Sequence, residues 1–167
     1  NLGSGMPLLV AEHVPPGREV IFHSENGLLG VGPRQTRDPY DNNLINAGNI
    51  PVTLLPGGSY FHQGDSFVMV RGGHIDITVL GAYQVAENGD LANWDLPIGR
   101  KSPAVGGAMD LAIGAKQVFV MMEHLTKQGE SKIVPECTYP LTGIGCVTRI
   151  YTDLATIDVT QPMPVSG

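Results

Sequence analysis

Basic residues are scarce in this 167-residue chain: ten Lys plus Arg stand against sixteen Asp plus Glu, a net charge of −6. A nucleic-acid binder needs clustered cations to displace counterions from phosphates; no basic stripe occurs, so no nucleic-acid partner is expected. Charged residues of both signs reach only 16% and hydrophobic ones 42%, which speaks against a disordered chain and against a coiled coil. No apolar run approaches the roughly 18 residues that span a bilayer, so no membrane partner is expected either. Two cysteines, Cys137 and Cys146, are too few for a disulfide scaffold or for a zinc site without nearby histidine pairs. Both read as reduced packing residues of an intracellular protein. Asn1 follows no initiator Met or charged leader, so no signal peptide is visible, and the Gly-rich start suggests a chain trimmed upstream.

What the chain does have is turn formers, with 22 glycines and 13 prolines. They separate short apolar runs within one domain, residues 1–167, that shows no repeat. Residues 7–14 predict a helix with Pro7 at its first position. Residues 19–22 predict a buried strand ending at His23, and residues 30–43 an exposed loop with Gly-Pro breakers. Strands are predicted at 52–55, 75–80, 83–85, 117–122, 147–152 and 156–159, a helical turn at 66–70, a loop at 86–106 and a helix at 108–115. Strands alternating with helical stretches imply an α/β domain: a single open, largely parallel sheet flanked by helices, with ligands at the carboxyl ends of its strands.

Several familiar motifs fail. Gly3-x-Gly5 begins a dinucleotide fingerprint, but Leu8 stands at the third glycine position. No phosphate-binding loop, H-E-x-x-H or G-x-S-x-G occurs, and the five histidines are scattered. His62 and Asp65 could share a metal, but a satisfied histidine is the commoner outcome, and no metal is expected. One segment stands apart. Phe22-His23-Ser24-Glu25-Asn26-Gly27 sets a carboxylate after an expected strand and before a glycine turn. A carboxylate held there can act as base, ligand or nucleophile, or merely cap the loop. Glycine-rich strand exits at 72–74 and 105–110 could offer backbone N–H groups to a developing oxyanion, or could simply turn the chain.

Asn1-Leu2-Gly3-x-Gly5-x-Pro7, Ser24-Glu25-Asn26-Gly27-Leu28-Leu29-Gly30, Leu44-Ile45-Asn46-Ala47-Gly48, Gly89-Asp90-Leu91-Ala92-Asn93-Trp94, Gly106-Gly107-Ala108-Met109-Asp110-Leu111 and Pro140-Leu141-Thr142-Gly143 together resemble the B subunit of the family I CoA-transferases. The resemblance runs in order over nearly the whole chain. Within the family, the segments at 103–107, 112–122, 137–140 and 149–153 resemble the branch acting on 3-oxoadipate. The resemblance implies an A subunit as partner in an α2β2 hetero-oligomer, acyl-CoA and carboxylic acids as substrates, and a cytoplasmic location. It implies no permanently bound cofactor, with coenzyme A as substrate and covalent intermediate. In the family the glutamate matching Glu25 attacks an acyl-CoA thioester and is converted to a glutamyl-CoA thioester, which a second acid discharges in ping-pong fashion. Asn1 matches an asparagine beside the reacting carbonyl. Asn26, Gly106, Gly107 and Ala108 match residues near substrate and CoA.

The chain departs from the family at Asn49, where a lysine is usual, at Ser4 in place of isoleucine, and over 95–102. A dicarboxylic substrate should meet a cation, for which Arg71, Arg100, Lys101 or the A subunit are candidates. Transfer to acetoacetate or another short-chain acid, a non-catalytic acyl-CoA-binding subunit and an acyl-CoA hydrolase remain open alternatives.

Overall fold

A computed structural model describes residues 1–36, 40–96 and 104–160. A 3-10 helix over Met6–Glu12 is followed by β1 (His23–Ser24), β2 (Leu28–Arg34), β3 (Val52–Tyr60), α1 (Gln63–Arg71), β4 (Ile77–Leu80), β5 (Gln84–Ala86) and β6 (Leu91–Ala92). Then come α2 (Ala108–Gly114), β7 (Gln117–Met121), β8 (Ile133–Val134), β9 (Val147–Tyr151) and β10 (Thr156–Asp158).

The centre is a four-stranded sheet in the order β10-β9-β7-β4, with β4, β7 and β9 parallel and β10 antiparallel at one edge. Parallel strands need cover on both faces and so tend to read as nearly continuous apolar runs, as Val118-Phe119-Val120-Met121 of β7 does, while β9 buries Val147 and Ile150 on either side of Thr148 and Arg149. Leu80, Val85, Leu91, Leu111 and Val70 pack with them in the core. The first residues extend the sheet beyond β4: Gly3 N–H donates to the Val79 carbonyl at 2.8 Å, and Val79 N–H to the Asn1 carbonyl at 3.0 Å. A Cβ on Gly3 would sit 3.1 Å from that Val79 oxygen, so glycine lets this segment lie close against β4.

The α/β class and its parallel centre match the sequence reading, but the strands divide into three sheets rather than one. β1-β2-β3 is an antiparallel meander, and β6-β5-β8 is a small mixed sheet. Two local expectations are corrected. Residues 19–22 form no strand: Val20 and Ile21 are exposed, Phe22 gives only its carbonyl to the Gly30 and Val31 N–H groups, and the first strand residue is His23, whose polar side chain is buried. Residues 30–34, expected as loop, continue β2, with register shifts on both sides of Val31 accommodating the glycine and proline. β8 escaped the sequence reading because two residues carry no period.

Candidate active site

Glu25 sits at the second position of the tight turn joining β1 to β2, closed by Gly27 N–H donating to the Ser24 carbonyl at 3.0 Å. Its neighbours anchor that turn. Ser24 Oγ accepts from Ala47 N–H at 2.8 Å, and Asn26 Nδ2 donates to the Ile45 carbonyl at 2.7 Å. Ser-Glu-Asn-Gly therefore has a structural logic: two flanking polar side chains clamp the 44–50 loop, the glycine turns, and the glutamate is left for the cavity. Asn49, where the resemblance predicts lysine, lies exposed in that loop at φ 59°, a left-handed conformation that asparagine tolerates better than most residues.

Behind Glu25 runs a line of buried polar groups. Asn1 Nδ2 donates to Glu25 Oε2 at 2.8 Å and lies 3.3 Å from the His23 carbonyl and 3.2 Å from His23 Nδ1. His23 Nε2 lies 2.8 Å from Ser66 Oγ, on the buried face of α1, and the imidazole stacks on Phe61. Because the Asn1 amide nitrogen can only donate, this pattern assigns the imidazole proton to Nε2, which donates to Ser66. Turning the Asn1 amide over would face its oxygen to the carboxylate, so the orientation is fixed even though Asn1 Oδ1 is buried without a protein donor among the described residues. One oxygen of Glu25 is held, and the other, Oε1, is without a hydrogen-bond donor among the described residues.

Burial pushes the His23 imidazole down to about 4, from an ordinary 6.5, so at neutral pH it is uncharged. The linkage has a definite sign. As pH falls through 6.5 the unfolded chain takes up a proton that the folded chain refuses, and this continues until about pH 4. The His23 contribution to stability is therefore complete above pH 6.5 and declines as pH drops toward 4. His23→Gln keeps a donor for Ser66 and an acceptor for Asn1 but does not titrate. It is expected to flatten the stability curve between pH 6.5 and 4, read as denaturant midpoints. Equal slopes in the two proteins would contradict the assignment.

Glu25 lines a cavity of about 530 Å³ at the carboxyl ends of two central strands. Leu80, Gly81 and Ala82 enter it from the exit of β4, and Met121, Met122 and Glu123 from the exit of β7. This is where a parallel sheet gathers its ligands. Gly107 faces Glu25 closely: a Cβ there would lie 3.8 Å from Glu25 Cγ and 2.8 Å from Phe67 Cζ. Asn93 and Trp94 form part of the wall, and Asn93 is locked to Thr142, whose Oγ1 donates to Asn93 Oδ1 at 2.7 Å and accepts from Asn93 N–H at 3.1 Å. Two of the quoted motifs thus meet across this wall.

Of the site residues named from sequence, Glu25, Gly107 and Ala108 line the cavity. Asn1 lies behind Glu25, Asn26 faces the 44–50 loop, and Gly106 turns the chain into α2 at φ 57°. Arg71, a candidate for a distal carboxylate, is elsewhere: it pairs with Asp110 at 2.7 Å and lines a separate hollow. Arg100 and Lys101 lie outside the described residues. Lys132, which the sequence reading passed over, lines the cavity. His62 caps α1 by accepting Gly64 N–H at 3.0 Å on Nδ1. The cysteines line no part of the cavity, and burial pushes the Cys146 thiol up to about 11, away from thiolate chemistry. Among the described residues no helix is long and apolar enough to cross a membrane.

The family model for coenzyme A transferase matches residues 1–165. The chain belongs to the coenzyme A transferase family. It is 65% identical over 160 residues to the B subunit of the 3-oxoadipate CoA-transferase of Pseudomonas putida, covering 96% of this chain and 75% of that one. It is 52% identical over 158 residues to the B subunit of the succinyl-CoA:3-ketoacid coenzyme A transferase of Helicobacter pylori, covering 95% and 75%. Among solved structures, an acyl-CoA transferase from E. coli O157:H7, in a thioester complex with CoA, superposes with a TM-score of 0.68 at 15% identity, over 95% of this chain and 32% of that one. That likeness confirms the α/β fold of the family, with its sheets flanked by helices.

Proposed function

We propose that this chain is the nucleophile-bearing B subunit of a CoA-transferase that moves CoA from succinyl-CoA to 3-oxoadipate, working with an A subunit. The observation that carries the reading is Glu25 on its closed turn at the cavity, with Oε2 held by Asn1 at 2.8 Å. A carboxylate is a competent nucleophile at neutral pH without a base to deprotonate it, and its product conserves the thioester's energy in a covalent bond. Glu25 Oε1 attacks the acyl carbon of the thioester, the C–S bond breaks, and CoA leaves as thiolate from a mixed acyl–glutamyl anhydride. The thiolate then attacks the glutamyl carbonyl and expels the first acid as its carboxylate, leaving a glutamyl-CoA thioester. The incoming acid reverses both steps. Asn1, donating to the glutamyl oxygen, fixes the turn's side chain before attack and remains beside the carbonyl that forms. Gly107 lies against the same side chain, its Cβ position 3.8 Å from Glu25 Cγ, and Ala108 lines the same cavity, where their backbone can border the reacting acyl group.

The choice of acid follows the 65% identical relative, and the reaction class is common to both relatives reported. Mass spectrometry of the complex of this chain with its A subunit, after succinyl-CoA without an acceptor, tests both. A CoA-sized adduct on the peptide containing Glu25, discharged by 3-oxoadipate and not by acetate, is the expected result. Discharge by acetoacetate instead would keep the chemistry and move the substrate. A folded, CoA-binding complex that forms no adduct would sink the catalytic reading and leave a binding role. Release of free CoA with no acceptor present would indicate a hydrolase.

A further inference from the structure

The cavity that holds Glu25 carries a cation for which the transfer chemistry above has no use. Among the described residues lining it, Lys132 is the one basic side chain. It is half-buried, just ahead of β8, and its backbone is fixed on both sides: Lys132 N–H donates to the His124 carbonyl at 2.9 Å, and Val85 N–H to the Lys132 carbonyl at 3.0 Å. No carboxylate among the described residues pairs with its ammonium. The ion pairs they make are Arg71–Asp110, Lys116–Asp76 and Arg149–Asp158, none of which borders Lys132. Burial holds the Lys132 ammonium below the ordinary lysine range, opposed by Glu123 on the same wall. Glu123 acts on it only from beyond ion-pair distance, so the half-buried ammonium is incompletely compensated, and an anionic ligand would supply what is missing.

We propose that Lys132 receives the distal carboxylate of a dicarboxylic acid whose other carboxyl group reacts at Glu25. The inference rests on the reading of Glu25 as the nucleophile and adds to it the residue that recognises the second carboxyl group. A phosphate of CoA is the rival anion for the same ammonium. One feature favours the short acid: Glu25 and Lys132 line the same cavity, which the two carboxyl groups of a short diacid can span, whereas the CoA diphosphate lies a whole pantetheine arm away from the sulfur that reacts at Glu25. Arg71, tied to Asp110 and facing another hollow, does not compete for this role.

The test uses the complete enzyme with its A subunit and the substitutions Lys132→Met and Lys132→Arg. Succinate and monomethyl succinate, which lacks the distal charge, serve as paired acceptors of CoA from 3-oxoadipyl-CoA, the reverse of the proposed transfer. In the unaltered enzyme kcat/KM should favour succinate. In Lys132→Met that preference should fall about tenfold or more, as expected for loss of a charge-assisted hydrogen bond, and Lys132→Arg should restore most of it. A preference that does not move overturns the proposal. So does an equal loss for both acids accompanied by a raised KM for every acyl-CoA, which would assign Lys132 to CoA. If the unaltered enzyme forms no glutamyl-CoA adduct, the transfer reading fails on its own. Calorimetric binding of succinate then still decides Lys132: about tenfold weaker binding in Lys132→Met supports the subsite, and unchanged binding overturns it.

Discussion

Glu25→Gln is expected to lower transfer by about four orders of magnitude or more while leaving the fold intact. The amide has the size of the carboxylate, and its oxygen can still accept from Asn1 Nδ2, the contact that holds Glu25 at 2.8 Å. What it loses is the anionic oxygen that attacks. Glu25→Asp makes a different statement. It keeps the charge but withdraws it by one methylene from a turn whose backbone is clamped through Ser24 and Asn26. Misplacement by about 1 Å costs on the order of a hundredfold in such reactions. The two substitutions should therefore rank as glutamate well above aspartate and aspartate above glutamine, in the assembled complex, with no glutamyl-CoA adduct in the glutamine variant. Near-native turnover in Glu25→Gln would end the covalent mechanism. The steady-state assay should be paired with a thermal melt, because unchanged melting is what separates a lost nucleophile from a displaced turn.

Much of this site was legible because chemistry and turn geometry are written in adjacent residues: a carboxylate, then Asn-Gly. The central strands were legible for a similar reason, since Val118 and Val120 of β7 and Val79 and Leu80 of β4 are buried members of continuous apolar runs. The error just ahead of Glu25 is instructive. Val20 and Ile21 look like a core strand, yet Ile21 is 63% exposed, whereas the polar His23 is 4% exposed. Hydrophobicity alone cannot foresee that inversion. A buried histidine becomes tolerable only through partners 22 residues before it and 43 residues after it, Asn1 and Ser66. Lys132 was hidden on the same grounds. It reaches the cavity because β8 pairs with β5, Val85 opposite Ile133, and no local pattern announces a two-residue strand. Asn1 was found through family resemblance, and its contact proved to be with the glutamate itself.

Gly27→Ala is expected to be the most damaging single-carbon change at the turn, because two independent effects coincide. The backbone there has φ 118°, a region that L-residues rarely adopt, and a Cβ would lie 2.2 Å from the Phe61 carbonyl oxygen, far inside contact distance. That oxygen cannot step aside cheaply, since Phe61 N–H is bonded to the Gly27 carbonyl at 3.1 Å and its ring stacks on His23. Strain and clash together should destabilise the domain by about 3 kcal/mol or more. Gly57→Ala provides the control. Gly57 also has a positive φ, 86°, but nothing lies within 4 Å of the site of its Cβ, so it should lose only about 1 kcal/mol. The functional consequence should also differ between them. Relief of the Gly27 clash requires Ser24–Gly27 closure to open, which moves Glu25 away from Asn1 and the cavity, so residual folded protein should transfer at least about a hundredfold more slowly. Gly57→Ala, in β3 and outside the cavity lining, should turn over at nearly the unaltered rate once folded. Equal loss of stability in the two variants would mean that the Phe61 carbonyl yields, and that the turn carrying Glu25 is not held as tightly as its hydrogen bonds indicate.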